Sequence, residues 1–160
     1  MPAVFQLKFG RSRDILAAPD ALVRKWRNMN KIHSFTISSS SREELIDITG
    51  EVRRFIATSG VTEGACFAYT PHTTAALTIN ENADPTVRRD IVKGLSALNL
   101  ERVSFAHLEG NSPAHIKSSL VGCSLFVLIE KGAPVLGTWQ GIYFCEFDGP
   151  RTRKVMLRIG

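Results

Sequence analysis

What this sequence lacks narrows it first. Across 160 residues, no apolar run approaches the ~20 residues that a membrane-spanning helix needs. The opening stretch has no signal-peptide layout. Lys8, Arg11 and Arg13 interrupt its apolar residues, and no apolar core follows them. There is no Gly-x-Ser-x-Gly, no P-loop, no dinucleotide fingerprint and no Cys-x-x-Cys. Nucleotide hydrolysis and dinucleotide chemistry therefore have no familiar motif to stand on. Cysteine is scarce: Cys66, Cys123 and Cys145 are odd in number, without close pairing, and each lies in an apolar, strand-like run. That fits free thiols in a reducing compartment, and a cytoplasmic protein is expected.

A basic surface is also missing from most of the chain. The net charge is +5, which by itself suggests nucleic acid. Its distribution removes the suggestion. Residues 1–30 hold six basic side chains (Lys8, Arg11, Arg13, Arg24, Lys25, Arg27) against two acids (Asp14, Asp20). The other 130 residues hold 14 basic against 13 acidic side chains. No basic domain face for phosphate backbones is indicated, and neither nucleic acid nor membrane is an expected partner. Residues 1–28 read as an N-terminal appendage, with room for a helix from Asp20 to Asn28 and with Met29 as a candidate start of translation. Residues 29–160 are of a size for one domain with a substantial core.

What is present reads as short strands and three helices. Lys31 to Ile37 alternates apolar and polar residues, as a half-buried strand does. Ser41 with Glu44 forms a capping box. Leu45, Ile48, Val52 and Ile56 follow at helical spacing, and Gly60 suits a left-handed cap, so a helix is expected over 42–59. Gly64 to Thr70 and Thr74 to Ile79 read as strands. Asp84 and Pro85 start a second helix as N-cap and first helical residue, with Val87, Ile91 and Leu95 as its inner stripe. His107 is read at a strand end, and Ser112-Pro113 starts a short helix through Leu120. Cys123 to Glu130, a Lys131-Gly132 turn, a short strand to Leu136, Gly141 to Phe147, an Asp148-Gly149-Pro150 turn and Lys154 to Ile159 read as hairpins. Strands and helices do not alternate regularly. The expected fold is a single compact α+β domain with a mostly antiparallel or mixed sheet, two longer helices and one short one.

Several residues invite chemistry. His33 has the bland reading of a surface or edge histidine. His72, His107 and His115 sit at element ends, where sites are commonly built. Three converging imidazoles suit a zinc-like ion with an open position, while three separate histidines bonding locally is the simpler reading of their spacing. Between a strand and a helix, Asn80, Glu81, Asn82 and Asp84 put four polar side chains in five positions, more than a turn requires. The helix starts at Pro85 and Pro113, with Arg88, Arg89 and Lys117 within a turn, suit an anion. Nearby acids suit magnesium. The alternative for the arginines is a solvated helix face. Trp139, bracketed by Gly137 and Gly141, is a stacking platform or core. Glu146 is a half-buried carboxylate or an outward strand residue, and Cys145 a soft ligand or an inert thiol.

His72-Thr73-Thr74-Ala75 with Asn80 to Pro85, then Pro113 to Leu120, then Leu136 to Tyr143 resemble, in order, the motifs of the YjbQ family, also called secondary thiamine-phosphate synthase. The likeness covers about residues 31–160. It implies a compact α+β domain, a homotrimer with motif residues near subunit interfaces, and a secondary ability to join a pyrimidine diphosphate to a thiazole phosphate with release of pyrophosphate. It also implies a divalent metal, zinc or magnesium, on the motif histidines, and a small phosphorylated metabolite as ligand. The positions carried over are His72, Asn80, Glu81, Asn82, Asp84, Asp90, His107, His115, Lys117, Thr138, Trp139, Gln140, Cys145 and Glu146. The expected roles are catalytic for Asp84, Glu81, His115 and Lys117. They are substrate-binding for Asn80, Asn82, Arg88, Thr138, Trp139 and Gln140, and metal-ligating for His72, His107, His115, Cys145 and Glu146. Two other functions compete with the transferase. One is a hydrolase using three histidines and a metal-bound water, with Glu81 or Glu146 as base. The other is a trimeric binding module without physiological turnover.

Overall fold

The computed structural model describes residues 31–160. The expected appendage over 1–28 and its helix lie outside the described residues. Two antiparallel sheets carry the domain. The first has five strands, in the order β1 (His33–Ser38), β8 (Thr152–Ile159), β3 (Gly64–Tyr69), β5 (Ser124–Glu130) and β6 (Ala133–Pro134). The second places β7 (Gln140–Glu146) between β2 (Glu44–Asp47) and β4 (Ala75–Glu81). The helices are α1 (Thr49–Ser59), α2 (Pro85–Ser96) and α3 (Ser112–Val121), with a 3-10 turn at Leu100–Arg102. The α+β class and the antiparallel pairing are as the sequence led one to expect. No helix among the described residues is long and apolar enough to cross a membrane.

Strand β7 organises the interior. Its residues from Gly141 to Glu146 are all buried, because it has a core on each side. Ile142 and Phe144 face a first core with Ile48, Val52, Ile56, Leu77, Val127, Val155 and Leu157. Tyr143 and Cys145 face a second core with Leu45, Ala76, Ala114 and Phe147, against which Ile91, Val92 and Leu95 of α2 pack. Burying one such side chain is worth about 1.5–3 kcal/mol. Tyr143, Phe144 and Phe147 are all at most 1% exposed, so this strand is where packing is least forgiving.

The helix expected over 42–59 is shorter, and a strand precedes it. Glu44 to Asp47 pairs with β7, Leu45 opposite Cys145 and Ile46 opposite Phe144. The reason is packing: Leu45 belongs to the second core and Ile48, Val52 and Ile56 to the first, so a single helical face cannot serve all four. The capping-box contact does form, but it closes a bend. Glu44 accepts the backbone N–H groups of Ser40 and of Ser41, the latter at 3.0 Å. Helix α1 starts instead where Asp47 accepts the N–H of Thr49 at 2.9 Å, and Gly60 ends it with φ of 70° as expected. Strand β4 runs on through Asn80 and Glu81, which pair with Gly141 and Gln140. The polar turn is therefore shorter than it looked. His107 ends no strand, for the chain from Val103 to Asn111 holds no strand at all.

Candidate functional site

Asp84 and Pro85 behave as local chemistry dictates. The Asp84 carboxylate accepts the N–H of Thr86 at 2.7 Å, and Pro85 opens α2. That backbone N–H, with the Thr86 side chain next, holds the Asp84 carboxyl below its usual range. Helix α2 is thus fixed at its first turn, yet it has no fully buried residue. It lies on the second core and leaves a groove of about 470 Å³ between itself and β2, lined by Glu43, Glu44, Leu45, Pro85, Arg88, Arg89 and Val92.

The acidic wall is anchored from behind. Lys117 of α3 is 1% exposed, and its ammonium lies 2.6 Å from Glu43 Oε1. Glu43 Oε2 accepts the Ser96 hydroxyl at 3.1 Å, and Glu101 stands 4.0 Å from the same ammonium. A buried cation of this kind persists only when paired. Lys117 faces carboxylates, not a helix-end anion site. The basic wall is unanchored. Arg88 lies 6.0 Å over the Tyr143 ring. Among the described residues the Arg88 and Arg89 guanidinium groups make no hydrogen bond or ion pair.

Behind Arg88 the polar turn is wired to three elements. Asn82 donates through Nδ2 to Asp47 at 2.8 Å and accepts the Tyr143 hydroxyl at 2.6 Å. Its backbone N–H reaches the Trp139 carbonyl at 2.6 Å. A Cβ at Gly141 would stand 2.9 Å from Asn82 Cβ, so only glycine lets β7 pass beneath it. Burial would raise the Asp47 carboxyl, but the Thr49 and Asn82 donors with Arg88 outweigh it and hold it low. The Tyr143 hydroxyl is pushed up by burial, and by Asp47 and Glu81. Asp47, Glu43 and Tyr143 were not singled out in the sequence. Asp47 has only the signal of an Asp before a Thr-Gly, and Glu43 is hidden inside the capping box.

The other expected substrate residues surround this network. Asn80 turns its side-chain oxygen to the N–H of Glu81 at 2.8 Å. Gln140 closes its own loop by accepting the Gly137 N–H at 2.8 Å. Thr138 is exposed, and Trp139 is 66% exposed, so Trp139 is not core.

The expected metal ligands are not gathered within one chain. His107 and His115 do meet, their rings 5.4 Å apart and edge-on, with Glu109 3.8 Å from His107. His72 is engaged elsewhere: its Nε2 accepts the N–H of Lys154 at 2.7 Å. Burial first, then the Arg153 charge, lowers its basicity. Glu146 is fully buried and held by both guanidinium arms of Arg153, by Ser39, and by the N–H groups of Phe147 and Asp148. Burial pushes the Cys145 thiol up to about 12, the mark of an inert core thiol. Among the described residues no set of three or more His, Cys, Asp or Glu is placed to hold a metal ion. The five residues of one chain do not fit the metal expected of them.

The sequence profile of the family described as "UPF0047 protein YjbQ-like" matches residues 33–160. A UPF0047 protein of Methanocaldococcus jannaschii is 54% identical over 128 residues, covering 80% of this chain and 93% of that one. YugU of Bacillus subtilis, also a UPF0047 protein, is 50% identical and covers 80% of this chain and 98% of its own. Among solved structures, a YjbQ/UPF0047 protein of Clostridium acetobutylicum superposes with a TM-score of 0.78 at 49% identity, over 80% of this chain and 99% of that one. A protein of unknown function from Sulfolobus solfataricus superposes at 0.77 with 30% identity, over 81% and 95%. The groove, the Asn82 network and the buried Lys117 are thus features of a chain that belongs to the UPF0047, YjbQ-like family.

Proposed function

We propose that the protein binds a small phosphorylated metabolite in the groove between β2 and α2. We further propose that it there carries a transferase activity of the secondary thiamine-phosphate synthase kind. The observation that carries this reading is the pair Arg88 and Arg89, two guanidinium groups beside a 470 Å³ groove with no hydrogen bond or ion pair to any described residue. Arginine matches phosphate with a planar fork of donors. In the reaction, the thiazole nitrogen forms a bond to the carbon that carries the diphosphate. The carbon–oxygen bond breaks, and pyrophosphate leaves with the electron pair. Charge grows on the leaving oxygens, and cations aimed there favour the transition state. Arg88 and Arg89 supply that charge, and Asp84 fixes the helix turn that carries them. No step is routed through a metal, because the histidines and acids of one chain do not converge.

A homotrimer belongs to the same proposal. Phe67, Tyr69, Phe126 and Leu128 expose 45–61% of their surface on the outer face of the five-stranded sheet, and Leu98, Val103 and Leu108 are bare beyond α2. An exposed apolar sheet face suits contact with further copies of the chain. Light scattering should give three times the chain mass of 17.7 kDa, and a monomer would overturn it.

Thiamine phosphate formation from the two phosphorylated halves tests the activity. Turnover that falls at least tenfold in Arg88→Ala/Arg89→Ala supports it, and undiminished turnover in that variant overturns it. A second reading, binding without turnover, is favoured by one feature. Both acids of the groove already serve internal partners, Glu43 with Lys117 and Glu44 with Ser40 and Ser41, so no free base faces the ligand. Tight binding with no product in the wild type selects it.

A further inference from the structure

The groove is charged on both sides, and the charges do not meet. Glu43 and Glu44 come from the bend before β2 and its first residue, Arg88 and Arg89 from the second turn of α2. All four line one cavity, yet no acid–arginine ion pair crosses it among the described residues. The acids are not free. Lys117 and Ser96 hold Glu43 by one oxygen each. The N–H groups of Ser40 and Ser41 hold Glu44 by Oε1, and only the Ser40 hydroxyl, at 3.2 Å, approaches Oε2. The Glu43 charge is thus matched by Lys117, whereas Glu44 is held only by neutral donors and keeps lone pairs beyond those contacts. Leu45, Pro85 and Val92 supply the apolar part of the lining.

We propose that this groove selects a zwitterionic phosphate ester, with its phosphate on Arg88 and Arg89 and a cationic nitrogen on Glu44. The inference rests on the phosphometabolite reading above and adds the second half of the ligand. A purely anionic ligand would gain from the arginines but meet the fixed Glu44 carboxylate. A ligand carrying both charges meets a complement at each end, and specificity of this kind comes from repelling the wrong partner as well as attracting the right one.

Isothermal titration of the full chain with two probes tests this: O-phosphoethanolamine, and ethyl phosphate, which has nearly the same size but no amine. Phosphoethanolamine should bind at least tenfold more tightly. In Glu44→Gln, whose amide oxygen still accepts from Ser40 and Ser41, that preference should shrink severalfold while ethyl phosphate binds as well or better. Circular dichroism confirms that the variant is folded. Equal affinity for the two probes, lost in Arg88→Ala, would overturn the zwitterion and leave the phosphate reading standing. Binding of neither probe would overturn both.

Discussion

Glu146 and Arg89 are both charged side chains beside the three-stranded sheet, and they are treated in opposite ways. Glu146 receives five hydrogen bonds, from Arg153 twice, Ser39, Phe147 and Asp148, and Nη2 of Arg153 also donates to the Thr74 hydroxyl at 2.9 Å. The Arg89 guanidinium makes no hydrogen bond or close ion pair with any described residue, and only its field reaches Asp84. The difference teaches where to look for function. A charge whose bonding capacity is used up inside the protein holds strands together, whereas a charge left unpaired on a groove is available to a ligand. By this criterion the end of β7 at Glu146 is architecture, and the face of α2 at Arg88 and Arg89 is the site we propose.

The sharpest break of this comparison is Arg153→Ala. It leaves a fully buried carboxylate without its counter-charge, and losses of roughly 3–5 kcal/mol follow such removals. Urea unfolding should show a loss of that size. A loss within ~0.5 kcal/mol, typical of surface changes, would make Glu146 available for chemistry after all. Lys117→Ala is the intermediate case. Glu43 is then left half-satisfied, and a loss of roughly 1–3 kcal/mol is expected. Phosphate binding should weaken only as far as the acidic wall shifts. Arg88→Ala/Arg89→Ala sits at the other extreme for stability, within about 0.5 kcal/mol of wild type, while ligand affinity drops at least tenfold, or ~1.4 kcal/mol. A large stability loss there would mean that the arginines are structural.

The comparison also explains which parts were legible in the sequence. Asp84-Pro85 and Gly60 announce their positions because a cap or a left-handed turn is decided by neighbours in the chain. The strands from Ser124 to Ile159 are legible for the same reason, since alternation and turn residues are local, but of the expected hairpins only β5 with β6 forms: β7 and β8 lie in different sheets, a pairing set by distant strands. Strand β2 was not legible, because Leu45 falls by coincidence on the helical period that Ile48, Val52 and Ile56 truly share, while serving a different core. The site was legible in its residue types and not in its bonds. Lys117 stands out in its motif, but its partner Glu43 is 74 positions away, and Asn82 meets Asp47 across 35. The expectation that Glu146, Cys145 and His72 join His107 and His115 came from motif membership. Nothing in the order of residues tells that Arg153 already holds Glu146.

The smallest expected effect lies at His72, on the architectural side. Its neutral Nε2 accepts the Lys154 N–H, so protonation there turns an acceptor into a donor and breaks the contact. The charges around it are Arg153 and Lys154, which oppose protonation, and Glu146, which favours it. With burial the net result is a basicity below the ordinary 6.5. The folded state therefore takes up its proton at lower pH than the unfolded chain does. The sign follows: the contribution to stability is complete above about pH 6.5, shrinks as pH falls below it, and is gone below the lowered folded value. The side chain is only partly buried, so solvent screens the effect and it should be slight. Unfolding midpoints from pH 7.5 down to 5 should fall more steeply for wild type than for His72→Gln, whose amide oxygen keeps an acceptor that does not titrate in this range. Parallel curves would show that His72 does not share the spent polar network at this end of the sheet, and would return it to the pool of side chains free to bind something else.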